Sequence, residues 1–320
     1  MRILITGTAG FIGSNLAQGC IDRGWEVVGV DDMSNGHVDF VPRSVHDFMR
    51  CDFVFDGVIN RIINKEFDVV FHLAARPRVS FSVEKPLFTH VENVHKTIGL
   101  IEACRGNVKR FVFSSSSSVY GGAKRLPTPE DEPFNPQSPY ALHKAIVEQY
   151  LRLYAMLYGM DSVCLRYFNV FGKNQFGDSP YATAVSAWLT AIRQGRPLRS
   201  DGTGEQSRDM CHVDNVVRAN ILAAEHRGKL NGTAINVACG DRVTNNEILA
   251  HLQKKHPNIV VKHANWRPGD VMHTQADIAK GYQLIGYEPV VRFWDGLERT
   301  ELWYEQSPIV EKYLRNIEEK

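Results

Sequence analysis

The chain has no apolar run long enough to cross a membrane as a helix, no closely spaced cysteine pair and no excess of charge of either sign. The first absence argues against a membrane-spanning protein. The second argues against a disulfide scaffold: Cys20, Cys51, Cys104, Cys164, Cys211 and Cys239 are scattered, mostly in apolar contexts, as expected for free buried thiols in a reducing cytoplasm. With 37 Lys and Arg against 36 Asp and Glu, interspersed, there is no basic face for nucleic acid. His72 and His212 have no other His or Cys at metal-ligand spacing, so no metal site is expected. No internal repeat occurs, and the one low-complexity stretch is a short serine run. Met1 leads straight into Arg2-Ile3-Leu4-Ile5-Thr6-Gly7, a strand and glycine turn rather than a leader with a cleavage site.

What is present is alternation. At 320 residues and 43% hydrophobic content the chain suits one large domain or two intimately joined ones. Residues 2–6, 26–30, 67–71, 108–113 and 162–167 are short apolar runs read as buried strands. Helical patterns separate them at 11–23, about 88–104 and 140–158. Such alternation predicts parallel pairing through right-handed crossovers, hence an α/β doubly wound parallel sheet. Beyond Asn169 the pattern breaks at Gly172, Gly177, Pro180, Gly195, Pro197, Gly202 and Gly204. A first domain is therefore expected over 1–168, with return segments near 212–238. A smaller discontinuous α/β lobe is expected from 169–211 and 239–320.

Gly7, Gly10 and Gly13 lie between the first strand and first helix. This spacing allows a tight turn, close approach to a pyrophosphate and helix N-terminal amides aimed at it. It is Gly-x-x-Gly-x-x-Gly, not the commoner Gly-x-Gly-x-x-Gly. Asp31 follows at the tip of the second strand, where an acid accepts hydrogen bonds from an adenosine ribose and repels a 2′-phosphate. With no arginine immediately after it, NAD is favoured over NADP. Asp32 is the second candidate, the alternative being that either acid starts the turn through Ser34, Asn35 and Gly36. Asp52 is placed to meet the adenine or to cap a helix.

A serine block at 114–118 closes one apolar strand, and Tyr140 and Lys144 follow. On one helix the four-residue spacing stacks their side chains on a single face. An unperturbed phenol titrates near ~10, and bringing it to neutrality takes about 4 kcal/mol of preferential stabilisation of the phenolate. A lysine below and a serine beside are expected to supply most of it. Tyr120 with Lys124 repeats the spacing but spans Gly121 and Gly122, which disfavour the helix. Tyr140 instead follows Ser138 and Pro139, a helix entry.

In order, Thr6-Gly7-Thr8-Ala9-Gly10-Phe11-Ile12-Gly13, His72-Leu73-Ala74-Ala75, Ser114 to Tyr120, Tyr140 to Lys144 and Arg166-Tyr167-Phe168-Asn169 resemble the extended short-chain dehydrogenase/reductases acting on nucleotide sugars. Pro180-Tyr181-Ala182, Gly202 to Asp209 and Arg267-Pro268-Gly269-Asp270 are similar to the substrate-lobe motifs of UDP-sugar 4-epimerases, particularly bacterial UDP-N-acetylglucosamine 4-epimerases. The resemblance covers nearly the whole chain. It implies a Rossmann domain with resident NAD and catalytic Ser116, Tyr140 and Lys144. Cofactor contacts implied alongside the glycine turn and acids are Phe11, Ile12, Phe53, Leu73, Ala74, Ala75, Asn93 and Tyr167. For the UDP-sugar it implies Ser117, Ser118, Asn169, Arg208, Arg267, Asp270 and Thr274. It also implies a homodimer through a four-helix bundle built from the segments near 88–104 and 140–158.

Relatives that dehydrate or decarboxylate place acids just after the active-site hydroxyl, where this chain has Ser117 and Ser118. Uronate 4-epimerases tend to have threonine at the Asn169 position and arginine at the Phe176 position, so a neutral hexose is expected. A bulky tyrosine at the Thr274 position excludes N-acetyl groups in some epimerases; threonine implies their acceptance. Competing readings are another nucleotide-sugar activity (uronate 4-epimerisation, 4,6-dehydration, 2-epimerisation) or a non-catalytic NAD-binding member. Arg76 and Arg78 depart from the best-known galactose epimerases, and either approach phosphates or are solvated loop charges.

Overall fold

The computed structural model describes residues 1–177, 183–265 and 271–318. Seven strands, β1 (Arg2–Thr6), β2 (Glu26–Val30), β3 (Asp47–Met49), β4 (Val69–His72), β5 (Arg110–Ser116), β6 (Ser162–Tyr167) and β7 (Thr233–Val237), form one sheet in the order β7-β6-β5-β4-β1-β2-β3. Every pairing is parallel. The direction of the order reverses between β1 and β4, and there the carboxyl ends open a crevice.

The strands are apolar along their length because both faces are covered. On one face α1 (Phe11–Asp22) and α8 (Val213–Glu225) bury Leu16, Ala17, Val216 and Ala219 against Ile3, Ile5 and Val163. Gly19 permits this contact, since a Cβ there would lie 2.4 Å from Val217 Cγ1. On the other face α2 (Asp56–Ile63), α5 (Lys96–Cys104) and α6 (Pro139–Tyr158) bury Val58, Ile62, Leu100, Ile101, Val147 and Leu151 against Leu4, Val28 and Val70. Two short helices, α3 (Val79–Glu84) and α4 (Pro86–His90), precede α5, and one π-helical turn at Val91–His95 joins α4 to it.

The second lobe holds α7 (Ala184–Arg193), α9 (Asn245–Lys255), α11 (Phe293–Gln306) and α12 (Pro308–Glu318) around Trp188, Leu198, Ile248, Leu297 and Tyr304. Leu198–Asp201 pairs in parallel with Val261–Ala264, and Ser207–Arg208 antiparallel with Val243–Thr244. Helix α10 (Ala279–Ile285) packs instead against β7 and α8. Ile285 and Tyr287 there join the sheet core, although they fall within the 239–320 stretch assigned above to the second lobe. Helix α12 crosses to the first domain: Lys312 Nζ meets Asp39 Oδ2 at 2.7 Å, and Tyr313, stacked on Phe176 of its own lobe with ring centroids 3.6 Å apart, meets His37 edge-on at 5.9 Å.

Among the described residues no helix is long and apolar enough to cross a membrane. All six cysteines are free, five of them buried and Cys51 half-buried.

Beneath the crevice lies a buried ion pair. The Arg166 guanidinium donates through Nε and Nη2 to Glu148, at 3.0 Å and 2.6 Å, and through Nη1 to the Tyr120 hydroxyl at 2.8 Å. The two side chains are 4% and 5% exposed. Removing one partner leaves an uncompensated buried charge. Arg166→Met is therefore expected to lower unfolding free energy by about 3–5 kcal/mol in urea titrations, and pairing it with Glu148→Leu to recover much of the loss. A loss under ~1 kcal/mol in the single variant would contradict a structural role for the pair.

Candidate active site

A cavity of about 1310 Å³ runs along the carboxyl ends of the strands. That exceeds the roughly 300–1,000 Å³ of ordinary small-molecule pockets and suits two extended ligands end to end. Gly7, Gly10, Phe11, Ile12, Gly13, Asp31, Asp32, Asp52, Phe53, Leu73, Ala74 and Ala75 line one part of it. Gly7 has φ of +75°, and a Cβ on it would stand 2.8 Å from Ala74 N; a Cβ on Gly13 would stand 1.9 Å from Gly7 O. Side chains are thus excluded along this turn, leaving exposed backbone amides at the entry to α1, a cradle fitted to a pyrophosphate.

Asp31 is buried and accepts N–H bonds from Ala9 at 3.0 Å and Met33 at 2.8 Å. Burial raises its pKa, with the Met33 and Ala9 amides opposing. Its oxygens retain lone pairs for ribose hydroxyls. Asp32 does start a turn, accepting from Ser34 N at 2.9 Å, but its other oxygen is held by Arg76 Nη2 at 2.9 Å. Asp52 likewise both accepts from Val54 N at 3.1 Å and pairs with Lys96 Nζ at 2.6 Å.

Asn93 has a structural role beside the cofactor contact expected of it. Its Oδ1 accepts from Arg76 N at 2.7 Å and its Nδ2 donates to Arg76 O at 3.1 Å. These two bonds clamp the loop after β4 and leave one N–H and one lone pair of the amide for other partners. Arg76 lines the cavity and is not a freely solvated charge, because Asp32 and Glu92 hold its Nη2; Arg78 also lines the cavity. Tyr167 lines the cavity with its ring, while its hydroxyl receives Asn220 Nδ2 at 2.8 Å.

Helix α6 presents Tyr140 and Lys144 to the same cavity. Ser138 Oγ accepts from Ala141 N at 3.2 Å, Pro139 has no N–H to satisfy, and Ser82 Oγ accepts from Tyr140 N at 3.0 Å. Ser82 belongs to distant α3 and carries no local motif, so the sequence offered no signal for it. Lys144 Nζ donates to Ser114 O at 2.6 Å and sits 4.7 Å from the Phe113 ring centre and 5.8 Å from that of Tyr140.

Burial pulls Lys144 down to about 8, with Glu148 opposing, and pushes Tyr140 up to about 12, with Ser116 opposing. The expectation that Lys144 and Ser116 bring the phenol to neutrality is therefore not met by these residues alone: an apolar wall penalises both charged forms. Ser116, Ser117 and Ser118 line the cavity, and Ser116 Oγ accepts from Ser118 N at 3.2 Å. The Ser118 hydroxyl is out of solvent with no hydrogen-bond partner among the described residues. Tyr120 is no rival. Its hydroxyl donates to Asn236 Oδ1 at 2.7 Å and receives Arg166, and burial raises its pKa further.

At the far end, Asn169 (φ +33°) donates to Asp209 O and Thr274 Oγ1, both at 3.1 Å. Thr274 Oγ1 also receives Asp209 N at 3.2 Å. Beneath them the Asp209 carboxylate, fully buried, accepts from Cys239 N, Gly240 N and Ala276 N at 2.9, 3.0 and 3.0 Å. Burial pushes Asp209 up to about 7 against these amides. Its fixing role was not read from the sequence, where only neighbouring Arg208 stood out. Arg208 lines the cavity and donates to Ser207 O and Met272 O. Arg267 and Asp270, with Pro180, Tyr181 and Ala182, lie outside the described residues. Phe176 lines the cavity within an aromatic cluster of His37, Phe40, Trp303 and Tyr313.

The family model described as "NAD dependent epimerase/dehydratase family" matches residues 3–238. The UDP-glucose 4-epimerase of Mycolicibacterium smegmatis is 34% identical over 310 residues, covering 94% of this chain and 97% of that one. A solved structure of UDP-N-acetylglucosamine 4-epimerase from Methanobrevibacter ruminantium, in complex with UDP-N-acetylmuramic acid, has a TM-score of 0.89 and 37% identity, covering 95% and 98%. The UDP-glucuronic acid 4-epimerase of Bacillus cereus, in complex with UDP-glucuronic acid and NAD, has a TM-score of 0.86 and 31% identity, covering 96% and 99%.

His72, at the end of β4, is a neutral structural ring between Thr6 Oγ1 at 2.7 Å and Thr97 Oγ1 at 2.9 Å. Burial, with Lys144 adding to it, lowers its pKa from 6.5 to about 3. Because the folded value lies below the unfolded one, this contribution is complete above pH 6.5 and is lost as pH falls towards about 3. His72→Gln should flatten the acid limb of stability between pH 6 and 4 by about 1.4 kcal/mol per unit in urea titrations. An unchanged slope would show that His72 titrates normally.

Proposed function

The chain belongs to the NAD dependent epimerase/dehydratase family, and as an NAD-dependent enzyme of UDP-sugars we propose that it inverts C4 of a UDP-hexose or UDP-N-acetylhexosamine through a transient 4-keto sugar. The observation that carries this reading is the grouping of Ser116, Tyr140 and Lys144 on one cavity wall with the glycine cradle, and with serines rather than acids at 117 and 118. Loss of a sugar hydroxyl as water needs a proton donor, and a serine is a poor one at neutral pH.

The turn at Gly7, Gly10 and Gly13 would hold the cofactor pyrophosphate, Asp31 the adenosine ribose and Lys144 the nicotinamide ribose. Bound oxidised NAD supplies a hydride acceptor and a positively charged ring. That charge would favour the phenolate of Tyr140, which burial disfavours. Tyr140 would then take the proton of the 4-hydroxyl as C4 gives up its hydride and becomes a carbonyl carbon, with Ser116 donating to the same oxygen. The keto sugar turns about its phosphate linkage, C4 regains hydride on its opposite face, and Tyr140 returns the proton. Arg208 is assigned to the UDP pyrophosphate; Asn169 is assigned there too, and since its Nδ2 already donates to Asp209 O and Thr274 Oγ1 it would have to turn its amide to donate to a phosphate oxygen.

Phe176 supports a neutral sugar. A ring stacked on Tyr313 offers no partner to the carboxylate of a uronate. Thr274 is small and its hydroxyl is already used, so it leaves room for an N-acetyl group. Leu142, Tyr150, Leu153 and Leu157 stay exposed along α6, and Leu87 and Phe88 on adjoining α4. This apolar face is assigned to a second copy of the chain, forming a homodimer, and the enzyme to the cytoplasm.

Proton NMR of purified protein with UDP-sugars and no added NAD should show interconversion of UDP-N-acetylglucosamine with UDP-N-acetylgalactosamine, or of UDP-glucose with UDP-galactose. A 4-keto-6-deoxy product, or no turnover of either pair, would contradict the reading. Tyr140→Phe should cut kcat at least ~100-fold, the typical weight of general base catalysis; an unchanged rate would remove Tyr140 as the base. Thr274→Tyr should impair N-acetylated sugars selectively while Thr274→Val spares them. Equal loss for both sugar classes would refute a steric role. Light scattering should give twice the chain mass, and Leu153→Glu with Leu157→Glu should give monomers; a wild-type monomer would refute the dimer.

A further inference from the structure

One part of the cavity wall is built from charges. Asp32 Oδ2 receives Arg76 Nη2 at 2.9 Å, and Glu92 Oε2 accepts from the same nitrogen at 3.2 Å. The other Glu92 oxygen pairs with Lys96 Nζ, which also reaches Asp52 Oδ2 at 2.6 Å. The sequence along the wall is acid, base, acid, base, acid, with a carboxylate at each end. Each cation is shared by two carboxylates. Asp32, Asp52, Arg76 and Glu92 all line the cavity, and the Arg76 side chain is only 15% exposed.

The backbone holds this arrangement in place. The π-helical turn at Val91–His95 carries Glu92 and Asn93, and such turns recur at functional sites. Asn93 grips the N–H and C=O of Arg76, fixing where its side chain starts. The Phe88 ring centre lies 5.6 Å from the guanidinium carbon. Hydrogen bonds from Ser34 and charge from Arg76 outweigh burial and lower the pKa of Asp32, while Asp52 and Glu92 outweigh burial and raise that of Lys96.

Arg76 therefore lies next to Asp32, beside the carboxylate assigned to the adenosine ribose, yet its charge is already committed. We propose that Arg76 is a cofactor-selectivity residue, a guanidinium able to receive a ribose 2′-phosphate but kept from doing so by Asp32 and Glu92. Selectivity for NAD then has two sources. Asp31 would accept from the ribose hydroxyls, and the acids flanking Arg76 withhold a nearby cation that would compensate a phosphate.

The inference rests on the reading that Asp31 marks the adenosine ribose, and is independent of the sugar and the reaction. It is tested by nucleotide content rather than turnover, so its failure would leave epimerisation untouched. Protein is equilibrated with equimolar NAD and NADP, separated from free nucleotide and acid-quenched; the bound nucleotides are resolved by ion exchange. Asp32→Asn with Glu92→Gln should raise the NADP to NAD ratio at least tenfold over wild type, less so at high salt. Adding Arg76→Ala should return the ratio towards wild type. An unchanged ratio in the double variant, or a gain that survives Arg76→Ala, would overturn the proposal. Should the double variant not fold, Asp32→Asn alone carries the same test, with a gain of at least threefold expected and none overturning it.

Discussion

Tyr140, Lys144 and Glu148 form one stripe along α6, and the buried pairing of Glu148 with Arg166 fixes that stripe against the sheet. Three residues at four-residue spacing share a helix face. Glu148 accepts from Arg166 on β6 and from Ser115 on β5, so the bottom of the stripe is tied to two adjacent strands. One turn higher Lys144 reaches Ser114 O, and a further turn up Tyr140 has its own N–H held by Ser82. A helix held at three levels cannot rotate the phenol away from Ser116 without breaking a buried charge pair. The ion pair contributes little net stability for its burial, but it determines which face of α6 meets the cavity.

The same stripe accounts for the opposing shifts of Tyr140 and Lys144. Phe113 and the surrounding apolar strands that position Lys144 also strip water from it, and both partners drift towards their neutral forms. On the proposed mechanism, such a site would favour the phenolate only once a positively charged group is bound beside it. On that mechanism cofactor binding and activation of Tyr140 would be one event.

Much of this was legible in the sequence. Strands buried on both faces announce themselves as continuous apolar runs, and Ser162–Tyr167 was bounded correctly from that alone. The glycine turn, the helix entry at Ser138 and Pro139, and the choice of Tyr140 over Tyr120 follow from local backbone chemistry. What stayed hidden depends on contacts between distant segments. Nothing near Asn93 in the chain reveals that its amide clamps Arg76, and nothing near Arg76 reveals Asp32 and Glu92. Ser82, Asp209 and Tyr313 are likewise defined by partners 58, 67 and more than a hundred residues away. The direction of the Tyr140 shift was missed for a related reason, since spacing shows a neighbouring cation but not the desolvation that opposes it.

The central claim is that C4 of a UDP-sugar loses and regains its own hydrogen within one closed site. A UDP-hexose or UDP-N-acetylhexosamine carrying deuterium at C4, turned over in ordinary water, tests it most directly. The account predicts that the 4-epimer retains essentially all the deuterium at C4, as read by NMR and mass spectrometry. Release of the deuterium to water during turnover would contradict it.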